Sequence, residues 1–358
     1  MTTVRGERRG NDRSQRTNVV TIIDVARHAG VAPSTVSYVL SGKRAISAST
    51  RQRVLASIRT LGYHPHAGAR SLASNRANVI ALVLPLRSGM HLPVLMQFAS
   101  SVVTTARRHR HDVLLVTADE GPAGLRRIAA SAMVDGLVLM DVEMRDARVP
   151  LLRELDRPSV LIGFPGEPAG LTCVDLDFFR AGVACVEHLV DLGHREIALI
   201  GAPRAVYERG TGFAHRTMAG FRDAAESRGA RCAVVACEES YDSVQRQLTR
   251  LFNDRPALTG LVVHNEAAVS HVLAVVRALG RSVPREVSVV AICPDEVAER
   301  STPPLDSVLI PAEEVGARAV ELLMRKIEGD AAPDATLLPP RLTARASTAA
   351  ARATVTSI

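Results

Sequence analysis

The sequence predicts a small all-α head followed by a larger α/β body of two lobes with parallel sheets. Three observations carry that expectation. The chain has 358 residues, 47% of them hydrophobic and 23% charged, a globular composition with room for two or three domains. From residue 79 onward, short β-branched apolar runs alternate with amphipathic helical stretches, the pattern of parallel sheets covered on both faces. Charge is divided unevenly. Residues 1–78 hold 13 Lys/Arg against three acids, a charge of +10, and the remaining 31 basic and 34 acidic residues leave −3. A basic segment beside a mildly acidic body is the electrostatic footprint of a nucleic-acid-binding head.

Residues 1–18 read as a disordered basic tail, without the apolar stretch of a secretory signal. No apolar run reaches the roughly 18 residues of a membrane span. Cys173, Cys185, Cys232, Cys237 and Cys293 are scattered and form no CxxC pair, which argues against a disulfide framework or a zinc site and for a cytoplasmic location.

The head spans residues 19–65. Thr21 and Asp24 form a short-armed capping box at the start of a helix with Ile22, Val25, Ala26 and Ala29 on one face. Gly30 stops that helix, because glycine tolerates the left-handed conformation of a tight turn. Pro33 suits the first turn of a second helix. Val36, Val39 and Leu40 are its expected buried stripe, and Ser34, Thr35, Ser37 and Tyr38 fall on other faces. Ser47 caps a third helix with Val54, Leu55, Ile58 and Leu61 as its apolar face and Gly62 as its stop. Two helices around a turn at residues 29–31, followed by a third, make a helix-turn-helix.

The run from Thr21 to Pro85 resembles the head and hinge of the LacI/GalR family of bacterial transcription regulators. D-V-A, A-G-V, T-V-S, L-G-Y and A-R-S-L fall in order, and looser matches continue through VDGLVL, GHREIALIG, AGF, VSVVA and PPLDSV. The resemblance implies a homodimer on a pseudo-palindromic double-stranded DNA operator, with the second helix in the major groove. Thr21, Pro33, Ser34, Thr35, Ser37, Tyr38 and Arg44 would then contact DNA. Pro33, Ser34 and Tyr38 hold the specificity positions; Pro33 has no side-chain hydrogen bond to give, so Ser34 and Tyr38 carry most of the reading. Ala32 stands where the family usually has a capping Ser, a loss of about 1 kcal/mol. Residues 66–78 are a hinge in which Leu72 would wedge into the minor groove, with Arg70 just before it and Gly68 lowering helix propensity.

In the body, strands are expected at Val79–Leu84, Val113–Thr117, Gly136–Met140, Ser159–Ile162, Ile197–Gly201, Ala233–Ala236, Gly260–His264, Val287–Ile292 and Ser307–Ile310. A break near Asp175–Gly182 divides them into lobes. The resemblance implies a periplasmic-binding-protein-like body over residues 79–345. Lobe 1 would span about 79–178 and 311–338, lobe 2 about 179–310 and 339–350, and residues 346–358 a tail. Small molecules bind such sheets outside the carboxyl ends of strands. The candidate effector residues are therefore Leu86, Arg87, His91, Phe164, Asp175, Arg216, Asn265 and Asp295. Two departures from the family pattern bear on the effector. Thr217 stands where many relatives have Arg, and Cys293 where they have an acid. The effector is thus a sugar held differently or another small metabolite. Helix 92–108 and region 254–279 are expected interface elements, again by resemblance.

There is no G-x-S-x-G, H-E-x-x-H, Walker A or strand-linked G-x-G-x-x-G motif, so no catalytic residues, metal ligands or cofactor are expected. His264/Glu266 and the run Arg107–His111 read as an ordinary strand end and a solvated helix end. The rival readings are a transport-type solute-binding module and an enzyme on the same two-lobed fold. The first predicts a signal peptide and no basic head; the second needs a catalytic cluster at the strand ends.

Overall fold

The structure is a computed structural model that describes residues 20–41, 44–63, 76–131, 133–155, 157–168 and 170–351. It divides into two units, Met1–Ala77 and Asn78–Ile358. Arg70, Leu72 and the tail expected over 1–18 lie outside the described residues.

The first unit contains α1 (Ile22–Ala29), α2 (Pro33–Ser41) and α3 (Ala48–Leu61). Both arms of the predicted capping box form: Thr21 N–H donates to Asp24 Oδ2 at 2.9 Å, and Asp24 N–H to Thr21 Oγ1 at 3.4 Å. Gly30 and Gly62 end their helices in the left-handed conformation, with φ of 63° and 60°. Val25, Ala26, Ala29, Val36, Val39, Val54 and Tyr63 close into one small core. Two expected core positions are wrong. Leu40 is 37% exposed and Leu55 40% exposed. Val36 and Val39 already point inward, and Leu40 lies about 100° further round α2. On α3 the inward place falls to Ser57, whose Oγ lies 2.9 Å from His28 Nδ1.

In the second unit, strands β1 (Val79–Val83), β2 (Asp112–Val116), β3 (Gly136–Leu139), β4 (Ser159–Ile162), β5 (Thr172–Leu176) and β11 (Ala335–Leu338) form one parallel sheet. Its order is β11-β5-β4-β3-β1-β2. Strands β6 (Glu196–Gly201), β7 (Arg231–Ala236), β8 (Gly260–Val263), β9 (Ser288–Cys293), β10 (Asp306–Leu309) and β12 (Leu342–Thr343) form the other, in the order β12-β10-β9-β8-β6-β7. Among the described strands, β12 alone runs antiparallel, against β10. The two sheets are the cores of lobes 1 and 2.

Helices cover both faces of each sheet. In lobe 1 they are α4 (Leu92–Arg108), α5 (Gly121–Ala130), α6 (Arg148–Glu154) and α13 (Ala312–Glu328). In lobe 2 they are α7 (Phe178–Asp191), α8 (Arg204–Glu208), α9 (Gly212–Ser227), α10 (Tyr241–Asp254), α11 (Val269–Ala278) and α12 (Asp295–Arg300). Alternate strand residues enter different cores, as a period of two requires. Ile80 and Leu82 meet α4, whereas Ala81 and Val83 meet α5. Helices α7 and α9 approach backbone to backbone. A Cβ on Gly220 would collide with the Phe179 carbonyl, and one on Gly182 with the Thr217 carbonyl.

The chain crosses between sheets three times: from β5 to α7, from β10 to α13 and from β11 to β12. The expected break at Asp175–Gly182 includes the end of β5, a strand with neighbours on both sides. The expected tail is also corrected at its start, because residues 346–351 are part of lobe 2. Ser347 is fully buried, donates from Oγ to Val289 O at 2.6 Å and accepts from Asp306 N–H at 2.7 Å.

Candidate functional site

In the head, α2 separates its residues by face. Val36 and Val39 are buried, Ser34 and Tyr38 are exposed, and Thr35 and Ser37 are half-buried. Pro33 opens the helix and is exposed. Arg44 is exposed, with its guanidinium carbon 5.8 Å from the centre of the Tyr38 ring. Thr21 is exposed but engaged in its cap, donating from Oγ1 to Asp24 Oδ2 at 2.6 Å. The result is a short helix presenting hydroxyls and one aromatic ring next to a cation.

In the body, a cleft lies at the carboxyl ends of β3, β4, β5, β6 and β8. Its walls are Met140, Asp141, Ile162 and Asp175 from lobe 1, Arg209, Phe213, His264 and Asn265 from lobe 2, and Phe178 at the first crossover. The cavity measures about 120 Å³. Phe178 and Phe213 stand 5.6 Å apart and each lies within 5.6 Å of the His264 ring, an aromatic floor.

Of the eight residues expected to bind an effector, His91, Asp175 and Asn265 line this cleft. Asn265 donates one amide hydrogen to Cys237 O at 2.6 Å, which fixes its side chain. Burial pushes the Asp175 carboxyl up to about 7, against the backbone N–H of Leu176 and the more distant Arg216. The other five do not line the cavity. Leu86 is 53% exposed on the loop after β1. Arg87 is tied up by three carboxylates: both oxygens of Asp119 at 2.9 Å, Asp141 at 3.0 Å and Glu143 at 2.7 Å. Phe164 is buried in the lobe 1 core beside the guanidinium of Arg216, which donates to Pro165 O at 2.8 Å and so braces α9 against lobe 1. Asp295 pairs with Arg345 at 2.8 Å instead of turning inward.

Sequence reasoning missed several cleft residues. His264 and Glu266 were read as ordinary, yet both line the cleft with Asn265 between them. Burial pushes the His264 imidazole down to about 4. Burial opposes the charge on Glu266, but contacts with His91 (3.5 Å), its own backbone and His264 outweigh it and hold the carboxyl below its ordinary range. Three consecutive polar residues after a fully apolar strand were the available signal. Arg209 and the two Phe residues left no such signal, because a loop Arg and helix-start aromatics are common. The Arg107–His111 run is also not simply solvated: His111 is buried, with Nε2 3.5 Å from Asp135.

Comparison with known proteins agrees with this architecture. Residues 21–66 match the bacterial regulatory proteins, lacI family, and residues 186–348 match a periplasmic binding protein-like domain. The HTH-type transcriptional regulator CelR of Thermobifida fusca is 30% identical over 318 residues, covering 86% of this chain and 91% of CelR. The chain belongs to the lacI family. DegA of Bacillus subtilis, another HTH-type transcriptional regulator, is 30% identical over 339 residues, 92% of this chain and 98% of DegA. Among solved structures, a CelR–cellobiose complex matches with a TM-score of 0.66 at 28% identity, over 92% of this chain and 99% of that one. The lac repressor dimer bound to operator and the anti-inducer ONPF shares the fold, with a TM-score of 0.80 at 24% identity over 92% and 99% of the two chains. As a lacI-family member, this chain is a DNA-binding transcription regulator. Among the described residues no helix is long and apolar enough to cross a membrane.

Proposed function

We propose that two copies of this lacI-family regulator bind a pseudo-palindromic operator in the cytoplasm and repress transcription under control of a small effector in the interlobe cleft. The observation that carries this is the division of α2, with Val36 and Val39 fixed in the core and Ser34 and Tyr38 turned outward. A helix so pinned is a rigid probe for a major groove. Ser34 and Tyr38 read base edges, and Thr35, Ser37 and Arg44 hold phosphates or nearby bases. Thr21 approaches the backbone at the positive end of α1, and Pro33 packs without a hydrogen bond. Arg70 and the wedge residue Leu72 act in the hinge. His91, Asp175 and Asn265 contact the effector. A ligand that favours one angle between the lobes biases the start of the hinge, a coupling typically worth ~1–3 kcal/mol. Repression is the default output because a protein seated on an operator obstructs polymerase.

The support for an effector is the cleft itself, together with the relative whose structure is a cellobiose complex. No sequence motif, and among the described residues no side-chain cluster, points to an enzyme, and the similar proteins CelR and DegA are regulators. The test is a gel shift on the gene's upstream region at two salt concentrations. Binding should be tight and fall steeply with salt, because each neutralised phosphate releases counterion. A folded dimer that binds no upstream DNA at either salt concentration would refute the proposal.

A further inference from the structure

The cleft carries unmet hydrogen-bonding groups of both signs. Arg209 donates from Nη1 to Ser88 O at 3.0 Å, yet its Nε and Nη2 are shielded from solvent and have no partner among the described residues. Nε and Nη2 form the guanidinium edge that grips a carboxylate two-handed. Other arginines use that edge, Arg127 on Glu120 at 3.3 and 2.8 Å among them. Arg87 places it on Asp119 at 2.9 and 2.9 Å, and Arg148 on Asp146 at 2.9 and 2.7 Å. On Arg209 the same edge is unmatched.

Asp175 supplies the opposite sign. It is buried, and its one hydrogen bond among the described residues is from the backbone N–H of Leu176 at 2.9 Å. Of the other cleft carboxylates, Asp141 is paired with Arg87 at 3.0 Å, and Glu266 lies 3.5 Å from His91 Nδ1. The space between is small and mostly apolar. At about 120 Å³ it is of the same order as the roughly 150 Å³ cavity that holds one benzene ring. A disaccharide exceeds that space, and the polar groups that line it gather at its ends while Phe178, Phe213, Val94 and Met140 leave an apolar middle. Arg209 already feels Asp119 and Asp141, and Asp175 feels Arg216, but a ligand of one charge would still hydrogen-bond only one of the two.

We propose that the cleft takes a compact zwitterion of amino-acid size. Its carboxylate lies on the Nε–Nη2 edge of Arg209, its ammonium faces Asp175, and its apolar body rests on Phe178 and Phe213. This inference rests on the reading of the cleft as the effector site, and Arg209 and Asp175 act as its two ends.

The experiment uses the full chain. The twenty proteinogenic amino acids are screened singly by thermal shift and calorimetry, with cellobiose, benzoate and phenethylamine as comparisons. The gel shift without added ligand is run in parallel, so the regulator reading stands or fails by itself. At least one amino acid should raise the melting temperature, and its deaminated acid and decarboxylated amine should each bind at least tenfold more weakly. Arg209→Gln and Asp175→Asn should each weaken its binding at least tenfold. Arg209→Lys, which keeps the charge but loses the fork, should also weaken it, and unliganded melting temperatures report whether each variant folds. Three results would overturn the proposal: no amino acid binds; cellobiose or a single-charge analogue binds as tightly; or the folded variants bind as well as the parent.

Discussion

His264 and Asp175 line one cleft but titrate in opposite senses. Burial raises Asp175 from 3.8 to about 7 and lowers His264 from 6.5 to about 4. Between about pH 4 and 7 the folded protein keeps a proton on Asp175 that the unfolded chain releases. The Asp175 contribution to stability therefore falls as pH rises through that window. Between about pH 6.5 and 4 the unfolded chain protonates His264 and the folded protein does not, so its contribution falls as pH drops. The shifts correspond to swings of about 4 kcal/mol for Asp175 and about 3 kcal/mol for His264, and the two largely cancel. Asp175→Asn should gain stability over the parent on going from pH 4 to pH 7.5, and His264→Phe on going from pH 7.5 to pH 4.5. Urea unfolding across this range checks both; profiles parallel to that of the parent would remove the assignment. Residues whose role is local were legible from sequence, such as the Thr21–Asp24 cap and Gly30. Arg209 was not, because its role depends on a distant carbonyl, Ser88 O, on the other lobe.

At the scale of elements, α2 was legible because its periodicity and its glycine-stopped predecessor agree. The misplaced Leu40 marks the limit, since a nine-residue helix against a small core buries only two rows. The long apolar strands were legible within a residue or two. Strands β5, β11 and β12 were not. β5 (TCVDL) contains an acid that the fold buries, while β11 and β12 are short edge strands with half-exposed residues. Tyr38 is the element's most informative side chain, 36% exposed with its position fixed by Val36 and Val39. Tyr38→Ala should weaken operator binding by ~1–3 kcal/mol and relax base preference at one position. A binding-site selection would show it, and an unchanged preference there would mean that Tyr38 does not read a base.

For the whole molecule, the two-lobed division was readable from strand–helix alternation, whereas the three crossovers, near residues 178, 310 and 338, followed only from the family resemblance, because they depend on pairing between strands distant in sequence. The last of them leads to a C-terminal segment that ties lobe 2 together. Asp306 accepts from the backbone N–H groups of Arg345 and Ser347 at 3.0 and 3.1 Å and from Thr348 Oγ1 at 2.7 Å, with His188 Nε2 at 3.1 Å. Burial opposes its charge, but these partners outweigh burial and hold the carboxyl well below its ordinary range. Ser347 Oγ closes the knot between β9 and β10, bonded to Val289 O and Asp306 N–H. Ser347→Ala leaves a buried N–H without an acceptor and a carbonyl without this donor, a cost of about 1–3 kcal/mol. Thr348→Val removes a half-buried bond to the same carboxylate and should cost less. Its effect should be constant above about pH 4, where Asp306 is charged in both the folded and unfolded states, and fade as pH falls through the depressed folded-state range. Urea midpoints for both variants, read alongside an exposed-surface control such as Ser100→Ala, test the order. If Ser347→Ala unfolds at the parental midpoint, the segment after Arg345 does not hold lobe 2 together.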